Sequence, residues 1–204
     1  VRDYKERIGK STRLNEIYSI IDSDYLVQTD ADVIFADKNV IEKVIEVMLL
    51  EPKVEMCGGN TLPLAAKNFT ERAVKSMFNA SVKLRAETRE GRNGFSANGG
   101  LLAYKKSLYK RFRIPEDMIA NDVFTYYQTI FFGSEYRFVE EAIVYFRLPR
   151  KLTDHIRQYL RAAAVPRRML RHFPKELVFK EEHIPRHLLI KSMLTEAIKN
   201  PIGF

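Results

Sequence analysis

Leu14, Ile17, Tyr18 and Ile21 recur three and four residues apart, the spacing of one helix face, and predict a helix from Ser11 to Ile21. Asp22-Ser23-Asp24 interrupts it, and Tyr25-Leu26-Val27-Gln28-Thr29 reads as a short, largely buried strand running into Asp30-Ala31-Asp32. A second stripe, Val40, Ile41, Val44, Ile45 and Met48, predicts a helix from about Lys38 to Leu50, capped by Asp37 and stopped by Pro52. Val54 to Cys57 predicts a strand that ends at Gly58-Gly59. Thr70 to Glu87 reads as a third helix, Arg89 to Gly100 as a glycine-bearing loop and Leu101 to Tyr104 as a brief strand. Asp122 to Phe132 is a helix rich in aromatics, and Tyr136 to Phe146 forms one or two strands. From Thr153 the pattern is helical, with a break near Pro166 and an amphipathic helix from His187 to Lys199.

Strands that alternate with helices predict layered α/β architecture. At 204 residues, 46% hydrophobic and 29% charged, the chain can bury a real core. The pattern divides it into a domain over 1–150 and a basic helical extension over 151–204. Net charge is +8, and it is uneven: from Arg147 to Arg171 eight Arg and Lys residues face only Asp154. Such a balance suits phosphate-bearing ligands, nucleic acid or an anionic membrane surface. Nucleic-acid binding would call for aromatics interleaved with the cations, whereas Phe124, Tyr126, Tyr127, Phe131 and Phe132 lie in an apolar helix. Cys57 is alone, which favours a reducing, cytoplasmic setting. Asn68 and Asn79 begin short glycosylation-type patterns of low specificity, and His183 and His187 flank Pro185 without a third metal ligand. No apolar run is long enough to span a bilayer. The charged opening at Val1 and the abrupt close at Phe204 suggest a piece of a longer protein.

Asp30 and Asp32 carry the candidate chemistry. In extended backbone residues i and i+2 share a face, so two carboxylates at a strand's carboxyl end can converge on a divalent cation and a diphosphate. A turn and a helix-capping Asp would give the same letters. Haloacid-dehalogenase-type phosphatases also place Asp-x-Asp after an apolar strand, with the first Asp as nucleophile, though their later loop, Lys and acidic pair have no counterpart here. Gly9-Lys10-Ser11-Thr12 is not a P-loop, because Tyr4 stands where the first glycine is needed.

Taken in order, Arg7-Ile8-Gly9-Lys10-Ser11-Thr12-Arg13-Leu14-Asn15 and Asp24-Tyr25-Leu26-Val27-Gln28-Thr29-Asp30-Ala31-Asp32 resemble the large inverting glycosyltransferase family 2. That family includes cellulose, hyaluronan and dolichyl-phosphate-sugar synthases. Further along, Gly99-Gly100-Leu101-Leu102-Ala103-Tyr104 looks like its acceptor segment, and Asn121-Asp122 falls where it carries an acidic pair before a helix. Gln158-Tyr159-Leu160-Arg161-Ala162 is similar to its Gln-x-x-Arg-Trp segment, with Ala162 in place of Trp.

The resemblance implies a GT-A-like mixed sheet flanked by helices, lacking the family's N-terminal nucleotide-binding strands. It implies transfer of a sugar, with inversion, from a nucleotide-sugar donor to a lipid, glycan or small-molecule acceptor, aided by Mn2+ or Mg2+. By it Asp122 is the general base and Asp32 the metal ligand. Lys10, Asn15, Asp30, Gln158 and Arg161 hold the donor and its phosphates; Gly99, Gly100 and Asn121 line the acceptor site. The missing Trp speaks for single transfers over polymer synthesis. The C-terminal helix, with Leu188, Leu189, Met193, Leu194 and Ile198, is either docked on its own domain or laid on the cytoplasmic face of a membrane.

Overall fold

The structure, a computed structural model, describes residues 8–200; Arg7 and the two chain ends, on which part of the sequence reading rests, lie outside the described residues. Its strands are β1 (Tyr25–Gln28), β2 (Val33–Phe35), β3 (Val54–Pro63), β4 (Leu102–Lys105) and β5 (Glu135–Phe146). They form one mixed sheet in the order β1-β4-β3-β5-β2. The central pair β3–β5 is parallel, and every other pairing is antiparallel. The α/β expectation is met, with helices on the sheet's faces and a helical C-terminal region.

Alternation along the strands sorts the core into two layers. On β4, Leu102 and Tyr104 join one cluster while Ala103 joins the other. Helix α2 (Val40–Leu50) covers the second cluster with Val40, Val44 and Met48, residues spaced at successive turns and at most 1% exposed. The first cluster is aromatic: Tyr18 of α1 (Lys10–Ile20) packs edge-on against Tyr104 and Phe112. Helix α5 (Asn121–Phe131) adds Phe124, Tyr126 and Tyr127 to it.

Parity breaks once on β5, where Tyr136 and Phe138 belong to the first cluster but Ala142 and Val144 to the second. The cause is a register shift between Gly59↔Val139 and Asn60↔Ile143, which inserts three residues on β5 and turns its side chains over.

The shift also explains why β3 does not stop at its glycines, as the sequence predicts. A Cβ at Gly59 would lie 2.4 Å from Leu101 Cδ2 and 2.7 Å from the Ala142 carbonyl oxygen. Here glycine marks close backbone approach inside a strand, not its end. Asp37 departs from its predicted part too. Asn39 takes the cap position of α2, while Asp37 accepts from the Asn39 amide at 2.7 Å and pairs with Lys43 at 2.8 Å.

Helix α3 (Phe69–Glu87) begins at Asn68, whose side chain accepts from the Glu71 amide at 2.8 Å. Short α4 (Lys106–Tyr109) follows β4. In the C-terminal region α6 (Leu152–Ala163) is followed by α7 (Val165–Met169), so the break falls at Ala164 and Pro166 sits harmlessly in the first turn of α7. Met169, Phe173 and Val178 of α7, its exit and α8 (Lys175–Glu182) enter the aromatic cluster. Helix α9 (Arg186–Lys199) packs on α3. Among the described residues no helix is long and apolar enough to cross a membrane.

Candidate functional site

Four of the residues singled out in the sequence meet beyond the ends of β1 and β4. The backbone leaves β1 at Gln28, and the Asp30 amide donates to the Gly99 carbonyl at 3.0 Å. The Gly99 amide in turn donates to Asp122 Oδ2 at 3.1 Å. One glycine therefore links the Asp30 backbone to the Asp122 carboxylate with both of its backbone groups. Close approach requires it: a Cβ there would stand 2.8 Å from Asp30 Oδ2. At Gly100 the corresponding space is filled by Thr61, 2.7 Å away.

Lys10, at the first position of α1, completes the group by donating to Asp30 Oδ1 at 2.8 Å. The pair is open to solvent, 54% and 43% exposed. Such an ion pair is worth at most about 1 kcal/mol, so Lys10 is readily given up to a stronger anion.

Asp122 is in the first turn of α5 and part-buried. Burial raises its carboxyl above the ordinary value near 3.8, and the nearby Asp30 charge pushes the same way. Hydrogen bonds from the Val123 and Gly99 amides and the charge of Lys10 oppose the shift.

Asp32 differs from the reading by alternation. Ala31 and Asp32 form an exposed turn between β1 and β2, so Asp30 and Asp32 are not successive same-face residues of a strand. No hydrogen bond or ion pair from the described residues engages Asp32, which leaves its oxygens free for a cation. Among the described residues no three His, Cys, Asp or Glu side chains cluster into a metal site. An exposed, unengaged carboxylate such as Asp32 suits the manner in which Mg2+ or Mn2+ is held by one or two carboxylates together with substrate phosphates.

Asn15 and Asn121 have their amides engaged inside the protein. Asn15 clamps Ile114 at two points, donating to its carbonyl at 2.7 Å and accepting from its amide at 2.9 Å. Asn121, 3% exposed, donates to Ser11 Oγ at 2.7 Å and to the Met118 carbonyl at 2.9 Å. Ser11 Oγ donates to the same carbonyl at 2.8 Å. Ser11 neighbours Lys10 and Asn121 neighbours Asp122, so this buried clamp fixes the two charged residues' backbones against each other. The sequence carries no signal for it, because the partners are 110 positions apart.

A second set of buried polar residues steadies the loop that presents Gly99. Asn93 donates to the carbonyls of Arg85 at 2.8 Å and Thr88 at 2.7 Å, and its own oxygen accepts from the Ser96 amide at 3.1 Å. Gln158 and Arg161 lie elsewhere on the chain, on exposed α6, beside Asp154, Arg157 and Leu160 of the same helix. Among the described residues no hydrogen bond or ion pair joins them to the Asp30 group.

No family model and no curated protein matches the chain. Among solved structures it is similar to the mannosyltransferase PcManGT from Pyrobaculum calidifontis, in complex with GDP-Man and Mn2+, with a TM-score of 0.63 and 16% identity. The alignment covers 98% of this chain and 56% of that one, so the chain spans little more than half the length of that relative. At this identity the likeness establishes a glycosyltransferase-like fold.

Proposed function

We propose that this chain is the catalytic part of a metal-dependent, inverting glycosyltransferase that uses a nucleotide-sugar donor. The observation that carries the reading is the continuous link Asp30–Gly99–Asp122, with Lys10 on Asp30. It brings a candidate phosphate-side group and a candidate base together on a fold shared with a protein solved with GDP-Man and Mn2+.

In this reading Asp30 orients the donor's ribose or phosphate, and Asp32, with the donor phosphates, holds Mn2+ or Mg2+. The cation, when bound, offsets negative charge on the diphosphate. Asp122 takes the proton of an acceptor hydroxyl, and the burial that raises its carboxyl above the ordinary value makes it a stronger base than an exposed aspartate. The acceptor oxygen attacks the anomeric carbon as the bond from that carbon to the phosphate oxygen breaks. Inversion follows from that single in-line displacement. Lys10 leaves Asp30 for the departing diphosphate, and Gln158 and Arg161 supply further hydrogen bonds to it.

Gly99 and Gly100 keep the acceptor side free of side chains, while Asn15 and Asn121 act through the backbones they clamp. The acceptor belongs to the lipid, glycan or small-molecule hydroxyls, and 151–204 forms a basic helical extension to a catalytic 1–150.

Product stereochemistry gives the test. Incubation of the protein with α-configured GDP- and UDP-sugars and Mn2+ yields a β-linked product by NMR. Asp122→Asn lowers the transfer rate by at least about 100-fold, the scale of general-base loss. A retained anomeric configuration, or phosphate release from p-nitrophenyl phosphate abolished by Asp30→Ala, would contradict the proposal.

A further inference from the structure

Arg89 and Glu90 are consecutive left-handed residues, with φ of 50° and 56° and ψ of 36° and 42°. Among the described residues no other non-glycine residue has a positive φ. L side chains adopt this conformation rarely and at a cost, so contacts from elsewhere must hold the turn. The Arg89 guanidinium makes them. Its Nε donates to the Arg92 carbonyl at 2.9 Å, across the turn itself. Nη1 donates to the Lys180 carbonyl at 2.6 Å, and Nη2 to the Glu181 carbonyl at 3.1 Å and to Glu181 Oε2 at 2.7 Å. These acceptors form the carboxyl end of α8, where helix carbonyls lack partners within the helix and a cation is favoured.

Glu181 has a second partner. Its side chain is 5% exposed, and Oε2 also accepts from the Tyr126 hydroxyl. Beside it, Glu182 Oε1 accepts from the Tyr127 hydroxyl at 2.9 Å. Tyr126 follows Asp122 by four residues on α5, one turn along the same face. On the other side, the turn at Arg89 leads into the loop that ends at Gly99. The Ser96 hydroxyl folds that loop back on itself, shared between the carbonyls of Gly91 at 2.9 Å and Asn93 at 2.7 Å. Glu181 therefore grips both elements whose far ends meet where the Gly99 amide donates to Asp122. A buried carboxylate stripped of its cation is costly, so the grip favours one seat for α8.

We infer that Arg89 and Glu181 are positioning residues for the proposed transfer: through them α8 holds the 89–99 loop and α5 in the arrangement that seats Gly99 on Asp122. The consequence for rate rests on the transferase reading. The seating itself belongs to the fold and is measured without donor or acceptor.

Amide hydrogen exchange tests the seating. Arg89→Gly keeps a left-handed turn without strain but removes the guanidinium, and Glu181→Ala removes the other half of the pair. In each variant the Gly99 amide exchanges at least about tenfold faster than in the parent, while amides of β3 change by less than about threefold. The double variant is no worse than the larger single change, because both remove one linkage. In transfer assays each variant lowers kcat at least about tenfold through misplacement of Asp122, with the donor KM within about threefold because Lys10 and Asp32 are untouched. Unchanged exchange at Gly99 overturns the inference, as does equal acceleration in β3 or an additive loss in the double variant. Unchanged kcat beside faster exchange at Gly99 also overturns it. A parent without transfer activity counts against the transferase reading alone, and exchange at Gly99 still decides whether α8 seats the loop.

Discussion

At Gly99 a single residue accepts from one acid's amide and donates to the other's carboxylate, so the chemistry proposed for Asp30 and Asp122 depends on backbone placement as much as on side chains. Asp122 tolerates a costly position for that. A carboxyl whose pKa is raised on folding contributes fully to stability below its unfolded value, near 3.8, and loses that contribution as pH rises through the raised value. Asp122→Asn, which cannot ionise, therefore melts no lower than the parent at pH 7, and any advantage shrinks as the pH approaches 3.8. Calorimetric melts of both proteins across that range check it; a variant that melts well below the parent at neutral pH would contradict it. Much of this site was legible in sequence, because motif order brought Asp30, Gly99 and Asp122 into one reading. The Lys10–Asp30 pair and the Ser11–Asn121 clamp were not, since periodicity carries no information about partners so distant along the chain.

Elements followed the hydrophobic pattern where one face is buried and departed from it where backbone geometry intervenes. The stripe of α2 was readable because Val40, Val44 and Met48 are all buried on the sheet. The continuation of β3 through Gly58-Gly59 was not, because a glycine that permits close packing looks the same in sequence as one that ends a strand. Three-residue β2 is too short to show alternation. For α6 the pattern predicted a helix but not its exposure, since helical spacing by itself does not say whether the apolar side meets the core. Stability separates the two helices. Met48→Ala costs about 2–5 kcal/mol, whereas Leu160→Ala costs less than about 0.5 kcal/mol, both read from urea unfolding. A large loss at Leu160 would show that α6 packs against the protein after all.

For the whole molecule, α/β layering was predictable from the alternation of elements, but strand order was not. Placing β1 at one edge and β2 at the other separates two strands that adjoin in sequence, with Asp30 and Asp32 on the connection between them. That connection, leaving the end of β1 at one edge of the mixed sheet, is where the proposed nucleotide diphosphate and cation are held. The chain aligns with 56% of the length of its structural relative, so its affinity for donor measures what this portion supplies by itself. Isothermal titration calorimetry with GDP- and UDP-sugars, with Mn2+ and with chelator, addresses the central claim most directly. The account predicts binding that requires the cation, is lost on Asp32→Ala and survives Asp122→Asn. Binding that is indifferent to chelator and to Asp32→Ala would contradict it.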